Sequence, residues 1–245
     1  VIQIDFINKF DDKKENFIKD VSRRYETVKN ELSKVKGVKT AVAGSFAFGN
    51  PVGASSGFSY KNKSVQGKNM LIDFGMLEML QLELASGRDI SPQFSSDTIT
   101  SILLNETAVR LMGEKNPIGK EIDWNNKKLK IIGVVKDFHV NGPQEEIPPM
   151  TIFHYKTIDW MILNAHTIYV KIDAENSEKT LAEIEKFWTK KVDTDYPFKY
   201  DFVDKSFARS YQNYVNQKNL FSLLNIIVIL IALFGLFALA SYSIQ

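Results

Sequence analysis

The sequence of 245 residues contains no cysteine and almost no excess of charge of either sign. The absence of cysteine excludes disulfides, thiolate nucleophiles and metal sites with cysteine ligands. The formal net charge is +2, from 31 basic and 29 acidic side chains. Proteins that grip nucleic-acid backbones carry a marked basic excess, so we expect no nucleic-acid partner. Lysines concentrate around residues 9–39 and 120–136, but acids are interleaved with them, and we predict solvated surfaces there.

Motifs of common catalytic sites are also missing or incomplete. Residues 113–121 (GEKNPIGKE) come nearest to a phosphate-binding loop, but Gly113 and Gly119 are one residue too far apart for it. Glu121 also stands where that loop needs a hydroxyl to bind magnesium. A helix end followed by an Asn-Pro turn explains both glycines, and this is the structure we predict. We identify no serine in the strand-to-helix elbow of a serine hydrolase.

The three histidines, His139, His154 and His166, form no compact ligand pattern. Asp137 is near His139 in sequence, but a metal site needs three or four ligands that converge. We therefore predict that the histidines lie at strand ends or in loops on the surface. The sequence indicates no catalytic residue, no cofactor and no metal, and it favours a protein that is not an enzyme.

Charged residues are absent after Lys218, where the sequence becomes most apolar. Residues 220–240 (LFSLLNIIVILIALFGLFALA) include only Ser222 and Asn225 as clearly polar members. About 20 helical residues cross the ~30 Å hydrocarbon core of a bilayer, so we predict a transmembrane helix. Because the segment follows a folded region, it is not a signal peptide. The chain starts at Val1 without an initiator methionine, and we expect it to be a segment of a longer membrane protein.

Two strand–helix–strand units precede this helix. In the first unit, residues 1–7 alternate as a strand, residues 12–36 carry an apolar stripe at helical spacing, and residues 38–48 return as a strand. Asp12 resembles the cap of the helix, and Gly37 has the position of its left-handed C-terminal residue.

The second unit has the same layout. Residues 167–173 alternate as a strand, a helix follows with its predicted N-cap at Ser177, and residues 198–203 form the returning strand. Two such units predict an α+β fold of the ferredoxin-like, split βαβ type, with both helices on one face of the sheet.

The residues between the two units contain short strands, turns and one small helix. Residues 49–57 (GNPVGASSG) predict a linker or flexible loop. Asn105 is the predicted cap of a helix that ends at Gly113. This different pattern of short elements predicts a small mixed α/β subdomain, inserted into the subdomain that the two strand–helix–strand units form.

The layout divides the chain into four parts. The predicted membrane-proximal subdomain is discontinuous and consists of residues 1–54 and 148–205, whereas residues 55–147 form the inserted distal subdomain. Residues 206–219 form a stalk helix, which continues into the transmembrane helix of residues 220–240. Because no proline or glycine interrupts the sequence before the span, we predict one stiff helix.

Several segments together resemble one family. Residues 70–91 (MLIDFGMLEMLQLELASGRDIS), 102–122 (ILLNETAVRLMGEKNPIGKEI) and 129–149 (LKIIGVVKDFHVNGPQEEIPP) are similar to the inserted part of the MacB-like periplasmic core domain. That domain belongs to ABC transporter permeases of the MacB/FtsX type. Residues 202–245 resemble the stalk that enters the second transmembrane helix of these permeases.

The resemblance implies a periplasmic domain carried by a permease of the bacterial inner membrane. Its membrane-proximal part corresponds to what is called the porter subdomain. Such permeases work as dimers with a separate or fused cytoplasmic ABC ATPase, and many of them act by mechanotransmission. Further implied partners are the lipid bilayer and a periplasmic adaptor or outer-membrane protein. The resemblance supplies no catalytic residues.

Two other functions are compatible with the residues alone. A membrane receptor would use the soluble part as a ligand-sensing ectodomain that drives the same helix. A membrane-anchored hydrolase would need a site that we do not identify. We therefore predict the permease domain, which couples cytoplasmic ATP hydrolysis to movement of the outer domain for export or mechanotransmission.

Overall fold

The computed structural model describes residues 1–6, 15–48, 55–140, 146–192 and 198–243. The strands are β1 (Ile2–Asp5), β2 (Val38–Gly44), β3 (Ser55–Tyr60), β4 (Lys63–Ile72), β5 (Leu84–Gly87), β6 (Ser101–Asn105), β7 (Glu121–Trp124), β8 (Lys127–Val135), β9 (Met150–His154), β10 (Thr167–Ile172) and β11 (Tyr200–Phe202). The α-helices are α1 (Phe17–Leu32), α2 (Met76–Met79), α3 (Glu106–Met112), α4 (Ser177–Phe187) and α5 (Val203–Ser243). Short 3₁₀ segments span Ser95–Thr98 and Asp159–Asn164, and a π-helical turn spans Trp188–Val192.

The strands of the two predicted units lie side by side in the order β11-β1-β10-β2, and all neighbours are antiparallel. Ile2 lies opposite Val170, and Ile4 lies opposite Ile168. These four side chains are fully buried, because alternation along each strand directs them to one face. All four predicted strands are present, although each is shorter than the pattern indicates.

Helix α1 covers one face of this part of the sheet because its apolar residues recur every three or four positions. It runs from Phe17 to Leu32 and is therefore shorter than the predicted span of residues 12–36. The predicted cap Asp12 lies outside the described residues, and Asn16 is the N-cap without a side-chain hydrogen bond. The buried residues of the helix are Val21, Tyr25, Val28 and Leu32.

Gly37 has a left-handed backbone, with φ of +91°, but it does not follow the helix directly. The C-cap of α1 is Ser33, so the prediction that Gly37 ends the helix is wrong. Gly37 O accepts a hydrogen bond from Asp173 N at 2.9 Å. An added Cβ on Gly37 would lie 2.1 Å from Thr180 Oγ1, so glycine permits the close approach of α4 to this turn.

Helix α4 packs on the same face of the sheet as α1. Phe6 makes edge contacts with Tyr25 of α1 and with Trp188, which directly follows α4. The helix begins at Ser177, but its N-cap is Asn176 and no side chain caps it, so the predicted cap is wrong by one residue.

The remaining strands continue the sheet in the order β4-β3-β7-β8-β6-β9, and β5 lies beside β8. The pairs β6–β8 and β4–β9 are parallel. Asn105 Oδ1 accepts a hydrogen bond from Ala108 N at 2.9 Å and so caps α3, which ends at Gly113 as predicted. The prediction of a loop over residues 49–57 is wrong at its end, because β3 begins at Ser55. The other residues of that loop lie outside the described part of the chain.

The two parts of the sheet meet at β2 and β4. Gly44 and Ile72 form the registered pair between these strands, and Ser45 Oγ accepts a hydrogen bond from Leu71 N at 2.9 Å. β9, the first strand of residues 148–205, lies among the strands of the second part and pairs with β4 and β6. One buried cluster crosses this seam and includes Ile4, Tyr25 and Ile184 from the first part and Ile102, Leu104 and Phe153 from the second.

Candidate functional site

The long helix α5 starts directly at the end of an edge strand. Phe202 is the last residue of β11 and Val203 is the first residue of α5, so no loop separates the two elements. The sequence predicts the stalk from residue 206, and the observed start is three residues earlier. The backbone therefore passes directly from the sheet into the helix.

Hydrogen bonds to two other chain segments hold the first turn of α5. Val203 N donates to Val1 O at 3.1 Å, and Ser206 Oγ donates to Phe48 O at 2.5 Å. The side-chain amide of Gln3 forms two hydrogen bonds with the backbone of Phe48. Its Nε2 donates to Phe48 O at 3.2 Å, and its Oε1 accepts from Phe48 N at 3.0 Å. Gln3 and Ser206 are buried, so these bonds do not compete with bulk water. We call these five residues the helix seat.

Three aromatic rings support the helix seat from inside the domain. The ring centroids of Phe46 and Phe48 are 5.3 Å apart, and Tyr169 lies 5.7 and 6.4 Å from them. Tyr169 OH donates to Phe46 O at 2.7 Å. All three rings are buried, so the backbone that receives the Ser206 hydrogen bond is itself fixed by packing.

The exposed side of the junction carries weaker contacts. Arg209 forms an ion pair with Asp201, and Lys205 Nζ lies 4.7 Å from the ring centroid of Phe202. The Arg209 side chain is 65% exposed, and exposed pairs of this kind contribute at most about 1 kcal/mol. The orientation of α5 therefore depends mainly on the buried helix seat.

An apolar groove of about 660 Å³ lies beside the helix seat. One wall comes from the first part of the sheet and the start of α5, including Ile172 and Phe207, and the other wall comes from the insert, including Leu82 and Phe138. His139 is at its edge. The first part of the sheet, the start of α5 and the insert therefore meet at this groove.

Helix α5 extends far beyond the domain. Seventeen residues separate Val203 from Leu220, about 25 Å at the rise of an α-helix. Beyond this point large apolar side chains are exposed, such as Phe234 at 71% and Phe237 at 73%. In the described part of the chain, α5 is the helix that is long and apolar enough to cross a membrane, with a mean hydropathy of 2.9 in its most apolar window. Such a surface is matched by lipid rather than by water.

A partly buried charge cluster lies where α1 crosses the ends of β4 and β9. Lys29 Nζ lies 2.7 Å from Asp73 Oδ2 and 2.9 Å from Glu26 Oε2, and Tyr155 OH donates to Glu26. Burial opposes ionisation of Glu26, but Lys156, Tyr155 and Lys29 outweigh it and lower the pKa of Glu26 to about 2. The cluster keeps its carboxylates charged and joins α1 to the seam of the sheet.

Several neighbouring groups also stabilise the charged form of Asp73. Burial opposes its ionisation, but the neighbouring His154 imidazole and the Lys29 ammonium group hold the pKa of Asp73 below its usual value. The distance from His154 Nε2 to Asp73 Oδ1 is 3.5 Å. Burial lowers the pKa of His154, and Asp73 only partly opposes this shift. The imidazole is therefore neutral at neutral pH, and its Nδ1 accepts a hydrogen bond from Lys156 N at 3.1 Å.

The surface prediction for the histidines is wrong for His154. This side chain is 1% exposed and stacks between Phe74 and Tyr155, with ring centroids at 4.5 and 4.3 Å. His139 is half-buried beside the apolar groove, and His166 is exposed after the 3₁₀ segment. Within the described ranges, no three His, Asp or Glu side chains converge as metal ligands.

The segments with motif-like spacing have structural roles. Residues 113–121 run from the end of α3 through a turn into β7, which is the reverse of the strand–loop–helix order of a phosphate-binding loop. Glu114 Oε2 accepts a hydrogen bond from Tyr60 OH at 2.7 Å. Asp137 Oδ1 accepts from Thr107 N at 3.0 Å and therefore helps to cap α3.

Residues 53–57 (GASSG) match the G-x-S-x-G sequence pattern of a nucleophile elbow. Ser55 begins β3, however, and β3 pairs with the next strand, β4. Ser55, Ser56 and Gly57 therefore lie in a strand and not in the strand-to-helix turn that exposes a catalytic serine.

Together, these features define a class of protein: a mixed α/β domain seated on one long helix that is suited to a membrane. The family model of the MacB-like periplasmic core domain matches residues 3–187, and the chain belongs to this family. It is the MacB-like periplasmic domain of an ABC-type transporter permease, and with α5 it is a membrane protein.

Solved structures have the same fold. The periplasmic region of MacB from Actinobacillus actinomycetemcomitans is 19% identical, with a TM-score of 0.58 over 83% of this chain and 89% of that one. The extracellular domain of the ABC-type transporter YknZ from Gram-positive bacteria is 17% identical, with a TM-score of 0.58 over 82% of this chain and 100% of that one. No curated protein matches the sequence.

Sequence reasoning did not identify the helix seat or the charge cluster. Gln3 and Phe48 are 45 positions apart, and Phe48 and Ser206 are 158 positions apart, so local patterns do not connect them. One available signal was Gln3, a polar residue inside a strand that is otherwise apolar up to Ile4.

Proposed function

We propose that this domain is a non-catalytic coupling element, which converts ATP hydrolysis in the cytoplasm into movement outside the membrane. In this proposal α5 is the moving part, and the domain turns with it as a rigid body. The outcome is export of a substrate or mechanotransmission to a partner.

The uninterrupted path from β11 into α5 carries this proposal. A helix keeps its backbone hydrogen bonds internal and is therefore stiff along its axis. The helix seat, through Ser206 and Val203, ties its first turn to the backbone of two other segments, at the buried Phe48 and at Val1. A flexible loop at this place would absorb a displacement, whereas a continuous helix transmits it.

The proposal includes the division into subdomains. Residues 1–54 and 148–205 would form a porter-like, ferredoxin-like subdomain, and residues 55–147 would form the distal insert. The order β11-β1-β10-β2 supports this view, because two interleaved βαβ units produce an antiparallel sheet of that order. Strand β9 would then lie at the boundary between the two subdomains, since it belongs to the first subdomain in sequence and pairs with strands of the insert.

The proposed setting is the inner membrane of a bacterium, with the domain in the periplasm. The necessary partners are an ABC ATPase, either a separate subunit or a fused domain, and a second permease copy or module. A periplasmic adaptor or an outer-membrane protein would extend the path if the function is export. Family membership favours this setting over a ligand-sensing receptor.

A helix break in the stalk tests the proposal. Val215→Pro removes a backbone donor and places a ring against the preceding turn, at a cost of about 3 kcal/mol. Spin labels at Lys115→Cys and Lys218→Cys, in a chain that has no other cysteine, report the distance across the break. We expect a distance distribution at least about twice as wide in the proline variant. In the complete transporter we expect ATP hydrolysis to continue while transport is lost.

Val215→Ala is the matched control, because it shortens the same side chain and keeps the helix. It should retain both the narrow distribution and transport. Normal transport by the Val215→Pro variant, with a broken stalk shown by the labels, would refute the coupling role of α5.

A further inference from the structure

The turn that follows α1 (residues 34–37) and α4 with its π-helical extension line a second groove, of about 760 Å³. Its sides carry six lysines, and we call it the lysine groove: Lys34, Lys36, Lys179, Lys186, Lys190 and Lys191. All six side chains belong to exposed residues.

The charge of the lysine groove is out of proportion to that of the chain. Asp173 and Glu183 are the acids that line it, so six lysines and two acids leave +4. The whole chain carries only +2, and its other residues are therefore net acidic by two charges. A solvated surface of interleaved charges, predicted for residues 9–39, would not show this excess. The fold creates it by placing the turn after α1 beside α4.

Most of these lysines form no ion pair with the described residues, although the positive charge of Lys191 also acts on Glu31. Lys34 Nζ pairs with Glu31 Oε1 at 2.5 Å. The other five are not within ion-pair distance of an acidic side chain in the described ranges. Lys179, Lys186 and Lys190 follow one another at steps of seven and four residues, which places them along one side of α4 and its π-helical extension.

The floor of the lysine groove is apolar. Val35 and Phe187 line it and pack against the buried core while remaining partly exposed. A ligand that fits must therefore offer negative charge to the rims and an apolar group to the floor.

The position of the groove argues against an anionic membrane surface as its ligand. Val170 and Phe202 both lie opposite Ile2, so the rim at Asp173 is level with the first turn of α5. From there about 25 Å of helix leads to Leu220, whereas charges are screened over about 8 Å at physiological ionic strength. A polypeptide partner beside the domain has no such distance to cross.

We propose that the lysine groove binds an acidic polypeptide segment with an apolar anchor, supplied by a partner outside the membrane. Carboxylates of the segment would pair with the lysines of α4, and its apolar side chain would cover Val35 and Phe187. Charge complementarity of this kind speeds association and selects the partner. The inference does not depend on coupling through α5, so each can fail without the other.

A model peptide tests the inference on the full chain in phosphatidylcholine nanodiscs. The probe is a fluorescent eight-residue peptide in which two leucines separate three pairs of glutamates, and its anisotropy reports binding. Lys186→Glu with Lys190→Glu should weaken binding at least about tenfold. Lys115→Glu with Lys120→Glu, an equal charge reversal on an exposed turn of the insert, should change it less than about twofold. Raising salt from about 50 to about 300 mM should also weaken binding.

Other results would overturn the inference. These are no binding up to about 1 mM peptide, or equal binding by the Lys186→Glu, Lys190→Glu variant with an unchanged circular dichroism spectrum. Equal binding of a peptide with glutamine in place of glutamate would exclude charge as the basis. If dioctanoyl phosphatidylglycerol binds at these lysines and the peptide does not, the groove recognises a lipid headgroup instead.

Discussion

Asp89 is a half-buried carboxylate of the insert whose surroundings act against its charge. Its Oδ1 accepts a hydrogen bond from Ile90 N at 2.7 Å. The guanidinium of Arg88 instead donates to both oxygens of Asp97, at 2.5 and 2.9 Å. Burial, which the Ile90 bond opposes and the charge of Asp97 reinforces, raises the pKa of Asp89 to about 6. A side chain of this kind makes the stability of the fold depend on pH.

We predict that Asp89→Asn stabilises the protein at neutral pH and not at acidic pH. The folded-state pKa of Asp89 lies above the ordinary value of 3.8, so its protonated form is favoured by folding. This contribution is complete below pH 3.8 and is lost as the pH rises through about 6. Because the group is partly exposed, we expect the variant to gain about 1 to 2 kcal/mol at pH 7.5 and nothing at pH 4. Urea unfolding of the full chain in detergent, followed by tryptophan fluorescence, measures this gain in the free energy of unfolding.

The difference in unfolding free energy between variant and wild type isolates the contribution of Asp89 from that of other titrating groups. The lowered pKa of His154 makes stability rise with pH in part of the same range, but it does so in both proteins. An equal gain for Asp89→Asn at pH 4 and pH 7.5 would contradict the assignment.

At the scale of elements, periodicity predicted the helices that cover a sheet and failed for strands of the seam. The stripe through Val21 and Leu32 identified α1, because one side of that helix faces the core. β9, with the sequence MTIFH, was not predicted, since it is short and buried throughout and therefore has no alternation. Its partners β4 and β6 are far away in sequence, so its place could not be inferred.

The candidate site was predicted where it depends on local composition and missed where it depends on distant residues. The length and apolar character of residues 220–240 depend only on local composition, and the helix over them is present. The helix seat depends on Gln3, Phe48 and Ser206 meeting in space, which requires the complete fold. Long-range contacts of single polar groups produce no periodic pattern in a sequence, so they cannot be read from it.

The turn between α1 and β2 offers a test of element packing through two glycines. Gly37 and Gly75 both have left-handed φ angles, of +91° and +78°. Alanine at Gly75 would meet nothing within 4 Å, whereas alanine at Gly37 would collide with Thr180 Oγ1. We predict that Gly75→Ala costs about 1 kcal/mol of stability from backbone strain alone. Gly37→Ala should cost about 1 to 3 kcal/mol more.

Urea unfolding of the two variants supplies the comparison, and a double variant tests the cause. Thr180→Ala removes the colliding oxygen, so Gly37→Ala should be less harmful in that background. Equal costs for Gly37→Ala and Gly75→Ala would mean that α4 does not press on this turn.

For the whole molecule, the main question is whether the two parts of the sheet unfold as one unit. The registered contact between β2 and β4 is short, with Gly44 opposite Ile72. The charge cluster adds a link across the seam, since Lys29 of α1 pairs with Asp73 at the end of β4. The buried cluster also continues from one part to the other. The proposed coupling of α5 to the insert requires this continuity.

We predict a single unfolding transition for both parts. Trp188 lies in the first part and Trp124 in the second, and both are buried. Labelling with 5-fluorotryptophan lets fluorine NMR follow both residues in the same unmodified chain. Because the core is shared, their urea midpoints should agree within about 0.2 M. Midpoints separated by more than about 1 M would show that the parts are independent, and a rigid-body response to α5 would then be excluded for the insert.

A change at the seam makes this prediction stricter. Lys29→Met leaves Asp73 buried without its main cationic partner, at a cost of about 2 to 4 kcal/mol. If the parts are coupled, the midpoints at Trp188 and Trp124 both fall, and by the same amount. Lys19→Met, on an exposed side of α1, removes an equal charge and should leave both midpoints unchanged. A fall at only one tryptophan would show that the charge cluster stabilises one part and does not join the two.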